Sequence, residues 1–256
     1  MSTTDPPPRR PASPRIPFSP LAATAAGLAL GAALLAPLAA LGSRWGWWSF
    51  RTGFDLLRWS AYAGLLVVVI AAVAIVRSRP GTRRRDLPLA AAGLILALLL
   101  VGTLFYWQRR ARQAPPIHDI TTDVDNPPSF VAIATRRAEA PNPLEYGGPE
   151  IAAQQRAAYP EIRPVILDLT PNRAFLRALD VAREMGWEIV VADPDSGRIE
   201  ATDRTRWFGF QDDVVIRLTP LEGRTVVDVR SLSRVGRGDA GTNARRVRAF
   251  LAALRS

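Results

Sequence analysis

The segment RSLSRVGRGDAGTNARR, from Arg230 to Arg246, is the densest grouping of chemically capable residues in the chain. Gly236, Gly238 and Gly241 spell G-x-G-x-x-G, the glycine spacing that lets a dinucleotide fold bring its backbone against a pyrophosphate. That chemistry also needs a parallel βαβ unit and an acid about 20 residues further on, whereas 15 residues follow Gly241. Two readings stand open. In one, Asp239, Thr242 and Asn243 cap a final helix and the neighbouring arginines pair with Asp212 and Asp213. In the other, backbone N–H groups at the helix start, with Arg234, Arg237, Arg245 and Arg246 around them, hold a phosphate, sulfate or carboxylate. The candidate ligand set is then Arg234, Arg237, Asp239, Asn243, Arg245 and Arg246, with Asp212 and Asp213 in support.

Catalytic chemistry is thinly provided for. Asp212 and Asp213 are the residues a hydrolase or lyase reading would use as acid or base, but adjacent positions on a strand point to opposite faces, which disfavours a shared-proton dyad. His118 is the single histidine and cysteine is absent, so neither a triad nor a thiol site is expected in the folded domain. Asp119, Asp123 and Asp125 resemble a calcium loop only in part: counting from Asp123, the sixth position is not glycine and the twelfth is Ala134. The expectation is a protein without cofactor or metal, and a binding role before an enzymatic one.

The elements that must position these residues follow from periodicity and turn signals. PVILD is a short strand, and LTPNRAFLRALDVAREMG is a helix with Thr170 as cap and Gly186 as terminator. Residues 187–192 and 198–205 are strands joined by the turn PDSG, residues 213–219 and 224–235 form a second hairpin, and residues 243–254 make the last helix. The order is βαββββα, an α+β domain with a mostly antiparallel sheet and helices on one face. Ile199, Ala201, Val214, Ile216 and Leu218 belong to the helix-covered face. Glu200, Thr202, Arg204, Arg217, Asp228 and Arg230 belong to the other, which reads as a solvated face of cross-strand charge pairs, with a binding surface for a charged partner as the alternative. Residues 113–163, rich in proline, read as an extended leader that wraps or spaces the domain, with one short helix near 151–159.

Charge is divided unevenly. Residues 1–112 hold 14 of the 33 arginines against three acids, and residues 113–256 hold 19 against 20. The net charge of +10 therefore flanks apolar segments and does not imply nucleic acid. Residues 16–43, 59–76 and 87–108 carry no charge at all, and each is long enough to cross a bilayer, with transmembrane helices expected at about 21–42, 59–76 and 87–107. Arg9, Arg10 and Arg15 in the tail (residues 1–20) and Arg77, Arg79, Arg83, Arg84 and Arg85 between the second and third spans stand against Arg44, Arg51, Arg58, Arg109, Arg110 and Arg112 on the other side, and the density of the five between the spans places the tail and that loop in the cytoplasm. The C-terminal domain, residues 164–256, is then extracytoplasmic, on the outer side of a bacterial inner membrane. Gly27 and Gly31 form a GxxxG pair suited to helix packing or to an oligomer. Trp45, Trp47, Trp48, Phe50, Phe54 and Trp59, set among arginines, suit an interfacial anchor, and a lipid or quinone site is the sharper alternative. No acid, histidine or arginine lies inside the spans, which argues against an ion pathway.

The strings RWFGFQDDVVIRL and VVDVRSLSRVGRGDAGTNARR, with the leader PPIHDITTD, resemble a domain of unknown function catalogued as family 1499 over about residues 115–254. Relatives in that family often have membrane helices before the domain. Many carry a cysteine in the leader that this chain lacks, and Gly238 stands where serine is common. The resemblance implies a name and no chemistry. The βαββββα order is also similar to helix-grip domains of envelope lipoproteins, at the level of fold only. The combined expectation is a multi-pass membrane protein that presents an extracytoplasmic domain to an envelope partner or anionic ligand through the Arg234 to Arg246 loop.

Overall fold

A computed structural model describes residues 19–78 and 86–256. The arginines at 9, 10, 15, 79, 83, 84 and 85, on which the expected topology mainly rests, lie outside the described residues. Three long helices come first: α1 (Pro20–Arg44), α2 (Phe50–Arg77) and α3 (Asp86–Gln113), each long and apolar enough to cross a membrane. Helix α2 starts well before the uncharged stretch at Trp59, so the aromatic connection shrinks to residues 45–49 and Phe50 and Phe54 become helical. Trp48 folds back over Gly42, its indole N–H donating to the Ala39 carbonyl at 2.9 Å.

The described residues divide into two compact units. The first comprises α1 up to Ala36 with Arg58–Gly102; the second comprises Pro37–Leu57 with Thr103–Ser256. In the first unit Ala25, Ala29, Val67, Ala71 and Ala97 form a buried core of small side chains. A Cβ on Gly93 would stand 3.2 Å from the backbone of Ala25 and Ala26, so glycine there lets α3 approach α1 closely. Gly27 and Gly31 are exposed and take no part in this packing.

The second unit is built on a six-stranded antiparallel sheet: β1 (Asp119–Thr121), β2 (Val165–Leu167), β3 (Glu188–Asp193), β4 (Arg198–Arg204), β5 (Gln211–Leu221) and β6 (Arg224–Ser233). The order is β1-β6-β5-β4-β3, with β2 pairing the same edge of β6 as β1 but further along it. Helices α5 (Pro171–Glu184) and α6 (Thr242–Arg255) cover one face. Alternation on β4, β5 and β6 puts Ile199, Ala201, Val214, Ile216, Val227 and Val229 beneath them, packed with Phe175, Ala178, Val247 and Phe250. Phe250 stacks on Trp187 at 5.4 Å.

The opposite face departs from expectation. Glu200, Thr202, Asp228 and Arg230 are buried, not solvated, because residues 114–147 of the leader fold across them. The leader supplies strand β1, a 3-10 turn at Ala132–Arg137 and helix α4 (Gly148–Ala158). The sheet charges fasten it. The Glu200 carboxylate accepts the backbone N–H groups of Val131, Ala132 and Ile133 at 2.8–3.1 Å, at the start of the 3-10 turn. Arg230 is bidentate to Asp119 at 2.9 and 2.7 Å, donates to the Pro128 and Leu144 carbonyls, and lies between the rings of Phe130 and Tyr146. The Gln155 amide of α4 exchanges two hydrogen bonds with the Thr121 backbone, closing the outer edge of β1. Of the two roles open to it, wrapping or spacing the domain, the leader wraps the sheet as a layer of the fold.

Candidate functional site

Strand β6 ends at Ser233 and helix α6 begins at Thr242, and the connection turns through positive φ at Gly236 (97°), Ala240 (54°) and Gly241 (75°). Glycine is suited to the first and last because it has no Cβ to clash there. The Asp239 carboxylate accepts the N–H of Gly241 at 2.8 Å and that of Asn243, holding the first turn of α6. Burial pushes the Asp239 carboxyl above its usual value; the two N–H donors pull the other way, and Asp212 adds to the rise.

Below the turn, sequence-distant polar residues form one buried network. Asn243 donates to the His118 carbonyl (2.9 Å) and Ser233 Oγ (2.8 Å), and its amide oxygen accepts from Ser231 Oγ (2.7 Å) and Arg246 (2.6 Å). All four of its side-chain bonds are thus satisfied. Arg246 also reaches Asp203 at 2.7 Å, Ser231 at 3.0 Å and Asp212 at 2.6 Å. On the other face of the sheet, Arg234 is bidentate to Asp213 at 2.9 and 2.8 Å and donates to Gln211, while Arg137 of the leader donates to the same Asp213 at 2.7 Å. Thr202 Oγ1 supplies a fourth bond to Asp213 at 2.8 Å. Asp212 and Asp213 thus meet different arginines from opposite layers.

Of the six candidate ligand residues, Arg234, Asp239, Asn243 and Arg246 are engaged in these contacts, and Arg245 donates to Ala240 and Thr242 within its own turn. Arg237 is exposed, with no side-chain partner among the described residues. The segment's chemistry is chiefly spent on the fold. A carboxylate already holding two arginines is a poor proton shuttle, since protonating it would strand both cations. Among the described residues, no group of three acidic or histidine side chains could hold a metal ion.

What the turn does form is one wall of an open cavity of about 740 Å³. Val235, Gly236, Gly238, Asp239, Ala240 and Thr242 stand on one side, with Ala111, Arg112, Ala114, Pro115 and Pro116 at and just after the end of α3 beside them. The facing wall is aromatic: Phe50 and Phe54 from the first turns of α2 meet Phe208 and Phe210 from the β4–β5 loop, with ring centroids 4.7–6.2 Å apart. Arg44 at the end of α1 holds this loop by donating to the Thr205 (2.8 Å) and Arg206 (3.2 Å) carbonyls. Arg112 and Arg206 also line the space. Sequence reasoning missed this wall. Its signal was the run Trp207, Phe208, Phe210 in a six-residue connection between charged strands, but the complementary half, Phe50 and Phe54, lies about 150 residues earlier in the chain.

Comparison with known proteins adds a family and no chemistry. The family model described as "Protein of unknown function (DUF1499)" matches residues 119–254. The match starts at β1, so it includes the leader layer as well as the sheet and its helices. No curated protein matches the chain.

Proposed function

The chain belongs to the DUF1499 family, and from its geometry we propose that it is a membrane-anchored binding protein, not an enzyme. Its domain stands on the outer side of a bacterial inner membrane and takes an anionic ligand or envelope partner at the cavity beside the β6–α6 turn. The observation that carries this reading is the cavity itself. About 740 Å³ lies within the range of small-molecule sites, and one wall is the turn that presents the exposed Arg237. The ion pairs of Asp212 and Asp213 weigh against the hydrolase or lyase alternative. The outward orientation is supported by the arginines at 77, 79, 83, 84 and 85 between the second and third helices. The exposed Gly27 and Gly31 offer a face for self-association.

The test is photo-crosslinking in intact cells from positions 207 and 237, with position 222 in the β5–β6 turn at the far end of the sheet as control and a topology reporter fused after Ser256. Specific adducts at 207 and 237 and an outside signal from the reporter are expected. No adduct above the level at position 222, or a cytoplasmic reporter signal, overturns the proposal.

A further inference from the structure

We propose that the occupant of this cavity is a phospholipid with an anionic headgroup, its acyl chain against the phenylalanine wall and its phosphate at Arg112 and Arg206. This rests on the binding role proposed above and names the ligand class.

Two observations point the same way.

The first is the wall. Phe50, Phe54, Phe208 and Phe210 present rings and no polar atom, with Phe208 and Phe210 stacked at 5.5 Å. Such a surface accepts an alkyl chain and offers nothing to a wholly polar ion. The second is charge. Arg112 and Arg206 line the cavity with no side-chain partner among the described residues. Of the acids that line it, Asp212 is paired with Arg246, and Asp239 is bonded to the N–H groups of Gly241 and Asn243 and keeps its charge. Two arginines against one carboxylate leave one positive charge, which matches one phosphate diester, and an arginine fork can hold that group through two oxygens.

The experiment uses the full chain in a mild detergent, titrated with a spin-labelled phosphatidylglycerol and, in parallel, with phosphatidylcholine of the same acyl chains. Saturable binding of about one phosphatidylglycerol per chain is expected, with phosphatidylcholine weaker by about tenfold. The double variant Arg112→Gln/Arg206→Gln should lose about tenfold in phosphatidylglycerol affinity at an unchanged melting temperature. Ala111→Trp, which fills the cavity from an exposed position on α3 without altering charge, should abolish binding of both. Equal affinity for the two lipids, wild-type affinity in the double variant, or undiminished binding in Ala111→Trp overturns the lipid assignment. If in that case the crosslinks at positions 207 and 237 persist, the site takes another partner and only the ligand class is wrong; if they are absent too, both proposals fall.

Discussion

The two faces of the sheet are covered by opposite means. Beneath α5 and α6 lie aliphatic and aromatic side chains whose burial is non-directional and needs only volume to match. Beneath the leader lie Glu200, Asp213, Asp228 and Arg230, each held by partners from the facing layer. Regular helices present a continuous apolar stripe and can cover a sheet by packing alone. An irregular segment exposes backbone N–H and carbonyl groups at every residue, and burying it requires partners for them. The charges on the second face serve that purpose: Glu200 takes three N–H groups and Arg230 gives to two carbonyls. The same sheet thus teaches two ways to attach a layer, one by shape and one by address.

Variants break the contrast in order of size. Asp213→Ala leaves Arg137, whose side chain is 2% exposed, and Arg234 without their shared carboxylate, and is expected to cost roughly 3–5 kcal/mol in chemical denaturation. Phe250→Ala on the other face, fully buried and stacked on Trp187, should cost a similar amount, about 3–5 kcal/mol, through the cavity it leaves. The faces separate when both partners are changed. Arg230→Met alone strands Asp119 and should cost about 3 kcal/mol or more, while Arg230→Met with Asp119→Leu should recover most of that loss. Recovery stays incomplete because the Pro128 and Leu144 carbonyls lose their donor. No second substitution of Phe250's neighbours would be expected to restore Phe250→Ala without refilling volume.

Smaller effects sharpen the picture. Burial pushes the Tyr146 hydroxyl up to about 12, the hydroxyl has no hydrogen-bond partner, and its ring contributes by lying against Arg230. Tyr146→Phe should therefore be neutral or stabilising by about 1 kcal/mol, and the absorbance titration of the wild type should show one tyrosine ionising near pH 12 that the variant lacks. At the turn, the Asp239 carboxyl is raised above 3.8 by desolvation, so the folded state binds its proton more tightly than the unfolded chain. Its effect on stability is thus unfavourable at neutral pH and relieved as pH falls through the raised value toward 3.8. Asp239→Asn, which keeps a capping oxygen, should change stability by less than about 1 kcal/mol and remove that slope from a stability-against-pH profile.

Much of this was legible before the fold. The strand and helix pattern from PVILD onward, the turn at PDSG and the opposite directions of Asp212 and Asp213 all follow from period and turn chemistry, which are local properties. The second face misled because alternating charges read the same whether water or a leader lies against them. Periodicity reports that a face is polar and is silent about its cover. The candidate turn shows the same limit: four of its six ligand candidates are matched by partners that no spacing rule connects, such as Asn243 with the His118 carbonyl.

By itself the sequence determined the three long apolar helices, the antiparallel α+β domain and the scarcity of catalytic groups, because helix length, side-chain alternation and residue type are written in consecutive positions. Only the tertiary structure decided that the leader is the second layer, that Arg234 and Arg246 are bound inside ion pairs, and that Phe50 and Phe54 pack against Phe208 and Phe210 as one wall of a cavity. Those are pairings between residues tens to more than a hundred positions apart, and a pairing is a property of two surfaces that the chain specifies only once it has closed on itself.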